Sequence, residues 1–498
     1  MSENKRFWID FVTYAPSQFI PALIGFISVS ILTRLISPEQ YGQYVLVMTT
    51  VSLLTILTGW VPMSFIRFYP AAEHNGQLGR LCTSALIGLI GSVLIVSILG
   101  GAIFLRVGSR LDLLFTGGAL FVLMAVFDSL HHFLRAEFKA KEYTLFSIWR
   151  AVAGLGLGVG MVLVFDRGVE GLLWGHAVSL VLALPFLWRI AIGPLPKTGL
   201  LSGDLVKGML AYGFPLVVGN LSAWMLSLSD RYILEHFRGT YELGIYSASY
   251  TIAEKSIALV AYLFHFVSIP MTVQVWEKDE TRARDFVSIT TRYYLLLCLP
   301  LAVGMGVLSR PIIEVLMGEA YQEGYRILPF VVTGGFLLGL QQRFQSSLVV
   351  SNKTFLIMVS LFIGGVVNIV CNLIFVPRYG YIAAAVNTLV GYAVATALMV
   401  IFSQKYWAWV FPFGSLAKIS VSALLMGITV HLITSSIALP AFGTLLIGLI
   451  VGFVIYFAAS FWLRELRSQE IRSICRIGVR LFWKVRNGPR GHSEARIR

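Results

Sequence analysis

Fourteen long apolar stretches run along this chain, and they leave little choice of fold. They cover residues 16–36, 42–66, 82–105, 111–133, 143–165, 169–191, 209–236, 244–268, 289–309, 325–350, 355–377, 381–403, 414–435 and 440–463. A helix of about 20 residues crosses the roughly 30 Å hydrocarbon core of a bilayer. Backbone amides in hydrocarbon must bond within their own segment, which selects helices; the alternating segments of a β-barrel are absent from the sequence. The expectation is an all-α polytopic membrane protein with about 14 transmembrane helices. Composition excludes a soluble enzyme, a disulfide scaffold and a disordered chain: 57% of residues are hydrophobic and 13% charged, where soluble domains carry about 25% charge. The stretch from Ser17 to Ile36 is too long for the core of a signal peptide, and no small-residue cleavage site follows, so it reads as span 1.

The excess of 39 Lys and Arg over 25 Asp and Glu need not mean nucleic acid, because membrane proteins concentrate Lys and Arg in cytoplasmic loops. With the N-terminus inside, and basic residues near a span end counted with that end, 28 fall toward the inner side and 9 toward the outer, leaving Arg150 and Lys255 within spans. Both termini are therefore expected to be cytoplasmic. Residues 464–498 carry Ile471, Ile474, Ile477 and Leu481 at helical spacing, with Arg472, Arg476 and Arg480 between them. That pattern predicts a basic amphipathic helix lying on anionic lipid; nucleic-acid binding is not expected. Cys82, Cys298, Cys371 and Cys475 show no metal or disulfide spacing, and no phosphate-binding loop is present, so no cofactor and no metal is expected.

The chain resembles itself at an offset of six spans. Thr33-Arg34-Leu35-Ile36 then Tyr41-Gly42-Gln43-Tyr44 is answered by Asp230-Arg231-Tyr232-Ile233 then Leu243-Gly244-Ile245-Tyr246. Gly168, in the turn between spans 5 and 6, is answered by Gly380 between spans 11 and 12. An even offset keeps orientation, which predicts two parallel six-helix lobes with a cleft between them. The expected division is 1–195 for the N-lobe, 206–405 for the C-lobe, 413–463 for an extra C-terminal helix pair, and 464–498 for the tail.

Three stretches carry a family resemblance. Leu32-Thr33-Arg34-Leu35-Ile36-Ser37-Pro38-Glu39-Gln40-Tyr41-Gly42 resembles the end of the first helix of the polysaccharide exporter family, within the multidrug/oligosaccharidyl-lipid/polysaccharide exporter superfamily. Ser229-Asp230-Arg231-Tyr232-Ile233-Leu234 with Leu243-Gly244-Ile245-Tyr246-Ser247, and Asn368 to Gly380 continuing to Ala385, resemble later stretches of the same family in the same order. The resemblance covers about residues 10–460. It implies a flippase of the bacterial inner membrane, moving a polyprenyl-pyrophosphate-linked oligosaccharide between leaflets for cell-surface polymers such as O-antigen. Polymerases or glycosyltransferases of the same pathway would be its partners. A multidrug exporter of the same superfamily is the alternative, and a membrane glycosyltransferase or polymerase a more distant one.

Cations inside spans are costly, so they usually face a cavity or a partner. Arg34, Arg67, Arg231, Lys255 and Arg343 are candidate headgroup contacts, since guanidinium and ammonium groups bind phosphate. For each a structural reading stands beside it: snorkelling or a local ion pair for Arg34 and Arg231, an inner-side anchor for Arg67, a buried pair for Lys255, and interhelical hydrogen bonding for Arg343. Asn220, Trp224, Gln341, Gln342 and Gln345 are candidate sugar or cavity-lining residues, with interhelical hydrogen bonding as the alternative. Glu254 and Asp128 are candidates for ion coupling, although Asp128 also suits a structural salt bridge to Arg150. Gly154, Gly156, Gly158 and Gly160 form overlapping G-x-x-x-G, which in an apolar helix signals close helix packing.

Overall fold

A computed structural model describes residues 3–107, 111–193, 201–437 and 439–466. The expected tail helix over 464–498 lies almost wholly outside them. The described residues are helical nearly throughout. The helices are α1 (Glu3–Leu35), α2 (Pro38–Thr58), α3 (Trp60–His74), α4 (Leu78–Val107), α5 (Leu111–Ala136), α6 (Ala140–Phe165), α7 (Gly168–Ala191) and α8 (Gly203–Leu228). They continue with α9 (Asp230–Trp276), α10 (Glu280–Val307), α11 (Ser309–Leu316), α12 (Leu328–Val350), α13 (Thr354–Tyr406), α14 (Phe413–Ser436) and α15 (Ala441–Trp462).

These helices map onto the apolar stretches once their breaks are respected. Among the described residues ten helical runs are long and apolar enough to cross a membrane, and two of them, Gly203–Ile257 and Thr354–Tyr406, each contain more than one stretch. Gly239 (φ 82°) divides α9 and Gly380 (φ 60°) divides α13. Only glycine takes such positive φ cheaply, so each permits the tight reversal between consecutive spans. Gly59, by contrast, interrupts a single stretch into α2 and α3. With α1 and α12, the latter diluted by its polar patch, the segments correspond to the fourteen expected spans.

Two connections are themselves largely helical. The connection between spans 8 and 9, residues 269–288, is mostly helix: α9 runs to Trp276, and Asp279 caps α10 by accepting from the amides of Thr281 and Arg282. The link between spans 9 and 10 folds into α11 and a 3-10 segment, Glu319–Arg326.

Helices α1 to α7 pack mainly on one another, α6 against α7 and α1, and α5 against α7 and α3. A second group forms around α13, which packs on α8, α9 and α12, with α10 against α9 and α12. The pair α14 and α15 attaches to α10. Across the groups, α2 and α1 pack on α9, and α3 packs on α8. The larger hydrophobic core draws Val29, Leu32, Ile36 and Tyr41 into the side of Tyr246, Tyr250 and Tyr321, so the ends of α1 and α2 are shared between groups.

The repeated glycines explain that junction. A Cβ at Gly42 would overlap the Thr240 carbonyl, and one at Gly244 would overlap the Pro38 carbonyl. The residues matched in the sequence comparison thus face each other where α2 crosses α9, backbone on backbone. The other matched pair, Gly168 and Gly380, shares a positive φ, 47° and 60°. Gly158 packs on Gly175, and Gly154 on the His176 ring, so two of the four spaced glycines in α6 serve close packing.

A side chain at the crossing must push two backbones apart. Gly244→Leu is expected to lower the thermal unfolding temperature in detergent by several degrees and to separate α2 from α9. Gly156→Ala, where nothing lies within 4 Å, is expected to leave that temperature unchanged or raise it slightly.

Candidate functional site

The sequence-predicted cations do not gather in one clamp. Arg34 is exposed on α1, and its guanidinium binds the end of α11: Nη2 donates to the Val315 carbonyl at 2.7 Å and Nη1 to Leu316 at 3.1 Å. A guanidinium suits these carbonyls because the last turn of a helix leaves its C=O groups unbonded and carries partial negative charge. The Gly318 amide donates to Thr33 Oγ1 at 3.2 Å, and the Tyr321 hydroxyl donates to the Ile36 carbonyl at 3.0 Å. Burial, then the Tyr41 phenol and Glu39 nearby, holds the Tyr321 hydroxyl well above the ordinary tyrosine range, so it stays a donor. Segment 309–326 therefore forms a cap seated on the end of α1, beside the Gly42–Gly244 crossing. The sequence reading of this segment as a plain connection missed the cap; its signal was the string of paired aromatics and charges from Glu314 to Arg326.

Arg231 is committed elsewhere. It is 5% exposed, donates to the Ser227 carbonyl at 2.8 Å, lies 3.4 Å from Asp230 Oδ1 and sits over the Tyr250 ring. Asp230, fully buried, also accepts from the Tyr246 hydroxyl and from Thr388 at 3.0 Å. From Thr388 the network continues: Asn368 donates to Thr388 at 3.2 Å and to the Leu226 carbonyl at 2.8 Å, Asn372 donates to Asn368, and Asn387 donates to Asn372 at 3.1 Å. This polar chain ties α8, α9 and both parts of α13 together. The four-residue spacing of Asn368 and Asn372 in an apolar helix was the available signal for it.

Arg343 is 2% exposed on α12, donates to Ser268 Oγ at 2.6 Å and to the Phe264 carbonyl at 3.3 Å, and stands over the Phe264 and Tyr294 rings. Gln341 is fully buried with both amide atoms unbonded, Gln342 Oε1 is likewise unbonded, and Gln345 is half-buried. This patch is held between α9, α10 and α12 and lines neither of the cavities described below, which does not suit direct contact with a ligand entering between the two groups. Arg67 and Asn220 are exposed, on α3 and α8. The Trp224 ring lies at 5.9 Å from Tyr232, with its indole N–H buried and unbonded. Asp128 pairs with Arg150 at 2.5 Å, a structural bridge between α5 and α6.

Lys255 and Glu254 point different ways, as adjacent helical residues must. Glu254 acts electrostatically on Arg231, Tyr250 and Tyr392. Lys255 has no hydrogen bond or ion pair among the described residues. It lines a cavity of about 320 Å³ whose other walls are Phe19, Ile20, Ala22, Leu23 and Phe26 of α1, with Ser256. Its stem passes Gly25, where a Cβ would lie 3.6 Å from Cε. On the other side of α1 a second cavity, about 210 Å³, is lined by Gly25, Ser28, Tyr41, Tyr44, His176 and Thr251 among others. An uncommitted cation thus stands between an apolar cleft and a chamber of mixed apolar and polar lining.

A family model described as polysaccharide biosynthesis protein matches residues 31–326. The uncharacterized membrane protein MJ1068 of Methanocaldococcus jannaschii is 24% identical over 41% of this chain and 40% of its own length. The probable low-salt glycan biosynthesis flippase Agl15 of Haloferax volcanii is 21% identical over 69% of this chain and 72% of its own. The succinoglycan biosynthesis transport protein ExoT of Rhizobium meliloti is 22% identical over 61% of each chain. In fold, the chain is similar to the lipid II flippase MurJ in an inward closed conformation, with TM-score 0.74, 15% identity and coverage of 91% of this chain and 99% of that one. An inward-facing multidrug resistance MATE family transporter follows at TM-score 0.61, 13% identity and coverage of 78% and 97%.

Removing Asp230 would leave the Arg231 guanidinium buried without its counter-charge. Asp230→Ala is expected to cost about 3–5 kcal/mol of stability, and adding Arg231→Met to recover most of it. Thermal unfolding of both variants in detergent checks this; a single variant as stable as the double would refute it.

Proposed function

This chain belongs to the polysaccharide biosynthesis protein family, and on that premise we propose that it is a flippase for a polyprenyl-pyrophosphate-linked oligosaccharide. The observation that carries the reading is Lys255: a cation at mid-span with no partner among the described residues, its stem crossing Gly25 between the two cavities. The substrate has three parts in the same order, a hydrocarbon tail, a pyrophosphate and a sugar. The apolar cleft along Phe19, Leu23 and Phe26 suits the tail, Lys255 the phosphate, and the chamber of mixed lining the sugar. Arg67, exposed on α3, would collect headgroups at the cytoplasmic leaflet. A cationic drug entering the cleft would meet the Lys255 charge with no carboxylate in the cleft lining, which favours the anionic lipid over the multidrug reading.

In this proposal the chain sits in the bacterial inner membrane with both termini in the cytoplasm. The capped end then faces outward. The Gly42–Gly244 crossing and the α11 cap form the outer closure, and alternating access consists of opening it while the opposite end closes. The basic tail lies on anionic lipid of the inner leaflet. The names of Agl15 and ExoT, a flippase and a transport protein, support transport rather than a chemical transformation.

Two expected outcomes follow. Lys255→Met, which keeps the stem and removes the charge, is expected to slow exposure of the glycolipid to an impermeant lectin in proteoliposomes at least tenfold, with unfolding temperature unchanged. Lys255→Arg is expected to retain much of the rate, and wild-type transport in Lys255→Met would refute the headgroup assignment. Arg34→Ala should loosen the outer closure, raising labelling of a Thr240→Cys reporter by an externally added impermeant maleimide severalfold. Labelling equal to that of the unaltered Arg34 background would remove the cap from the gate.

A further inference from the structure

We propose that the chamber between α1, α2, α6, α7 and α9 is a subsite for a single sugar ring, the one attached to the pyrophosphate, read by Tyr41, Tyr44, His176 and Thr251. This rests on the flippase reading above and assigns the part of the ligand that determines selectivity.

The chamber combines features a hydrocarbon-packed interior would avoid. The Tyr44 hydroxyl and both ring nitrogens of His176 have no hydrogen-bond partner among the described residues, and the Tyr41 hydroxyl is paired with that of Thr251, another wall of the chamber. Ser28 donates to the Gly25 carbonyl at 2.7 Å and Thr251 to the Ser247 carbonyl at 2.8 Å, so each hydroxyl oxygen still has capacity to accept. Polar groups at membrane depth are expensive unless something bonds them. Here the uncommitted groups are neutral and mixed, donors beside acceptors, and no carboxylate, lysine or arginine lines the chamber. That inventory suits a polyol better than an ion.

The size is equally selective. A volume of 210 Å³ equals about seven times the roughly 30 Å³ share of a liquid water molecule. That is room for one pyranose ring. The Tyr41 and Tyr44 rings, 6.2 Å apart and tilted by 52°, supply aromatic surface for the apolar face of the ring.

The chamber is also built. Gly154 is in contact with the His176 ring, and a side chain at 154 would collide with Nδ1. Gly158 lets α7 approach through Gly175. The spaced glycines of α6 therefore set the position of the imidazole. Register with the headgroup site follows from one helix: Thr251 and Lys255 are four residues apart on α9 and lie one above the other on the same face. A phosphate held by Lys255 places its glycosidic oxygen about one turn from Thr251.

The test is binding by the full-length protein in nanodiscs. The probes are a polyprenyl pyrophosphate carrying no sugar and the same lipid carrying one glucose, one galactose or one N-acetylglucosamine. At least one sugar-bearing lipid is expected to bind ten or more times tighter than the sugar-free lipid. His176→Phe, which fills the chamber, and the near-isosteric Thr251→Val are each expected to reduce that ratio below threefold. Lys255→Met is expected to weaken all probes together. Equal binding of sugar-free and sugar-bearing lipids, as a merely water-filled chamber would give, overturns the proposal. So does a ratio that survives in both chamber variants. If no polyprenyl pyrophosphate binds the wild-type chain, the flippase reading itself falls, and the subsite with it.

Discussion

The contact between Gly42 and Gly244 sets the rest of the arrangement. Two helices meet there at backbone distance, each glycine lying against a carbonyl of the opposing chain segment. Without hydrophobic force between helices in lipid, association depends on such close approach. The crossing fixes α2 against α9, and therefore fixes how far along α9 the residues Thr251 and Lys255 stand from α1. It also brings the end of α1 near α11, where Arg34, Thr33 and Ile36 complete the cap. The two glycines are alike in role, each admitting a carbonyl of the other helix's segment to the same interface.

Charge in hydrocarbon sorts the remaining residues by whether their cost is already met. Asp230 accepts bonds from Tyr246 and Thr388 and lies beside Arg231, whose guanidinium also rests on Tyr250. That pair is satisfied and reads as architecture, linking α8, α9 and α13. Asp128 and Arg150 are satisfied in the same sense. Lys255 is not, and it faces a cavity. Arg343 is intermediate: it has acceptors in Ser268 and Phe264 and aromatic faces around it, but is shut away from both cavities. The distinction between a cation that holds helices together and one that awaits a ligand is thus visible only when partners are known.

That is also the limit of what was legible in the sequence. Apolar run length is a one-dimensional property, so the helical class and the spans could be read directly, as could the matched glycines whose partners turned out to be each other. The cap was hidden because a 3-10 segment has no strong periodicity and its function lies in contacts with α1, nearly 300 residues away in the chain. The polar patch Gln341-Gln342-Arg343 could be read as a ligand contact or as interhelical hydrogen bonding because composition does not reveal which way a helix face is turned. Conversely, nothing in the spacing of Tyr41, Tyr44 and His176 shows that they line one chamber.

The energetics of the cap suit a closure that a ligand can open. Its bonds to α1 are two from the Arg34 guanidinium to helix-end carbonyls, one from the Gly318 amide and one from the Tyr321 hydroxyl. Neutral bonds contribute about 0.5–1.5 kcal/mol net each and charged ones about 1.5–3, and the exposed guanidinium belongs at the bottom of its range because solvent competes for it. The total is several kcal/mol. Inverting a two-state equilibrium from 1:99 to 99:1 takes about 5.5 kcal/mol of differential binding. A headgroup and sugar bound more tightly in one state than the other can supply that, so the proposed cycle needs no cap stronger or weaker than the one present. On the proposed cycle, deeper burial of the same contacts would hold the capped end shut more firmly, and fewer of them would weaken the closure.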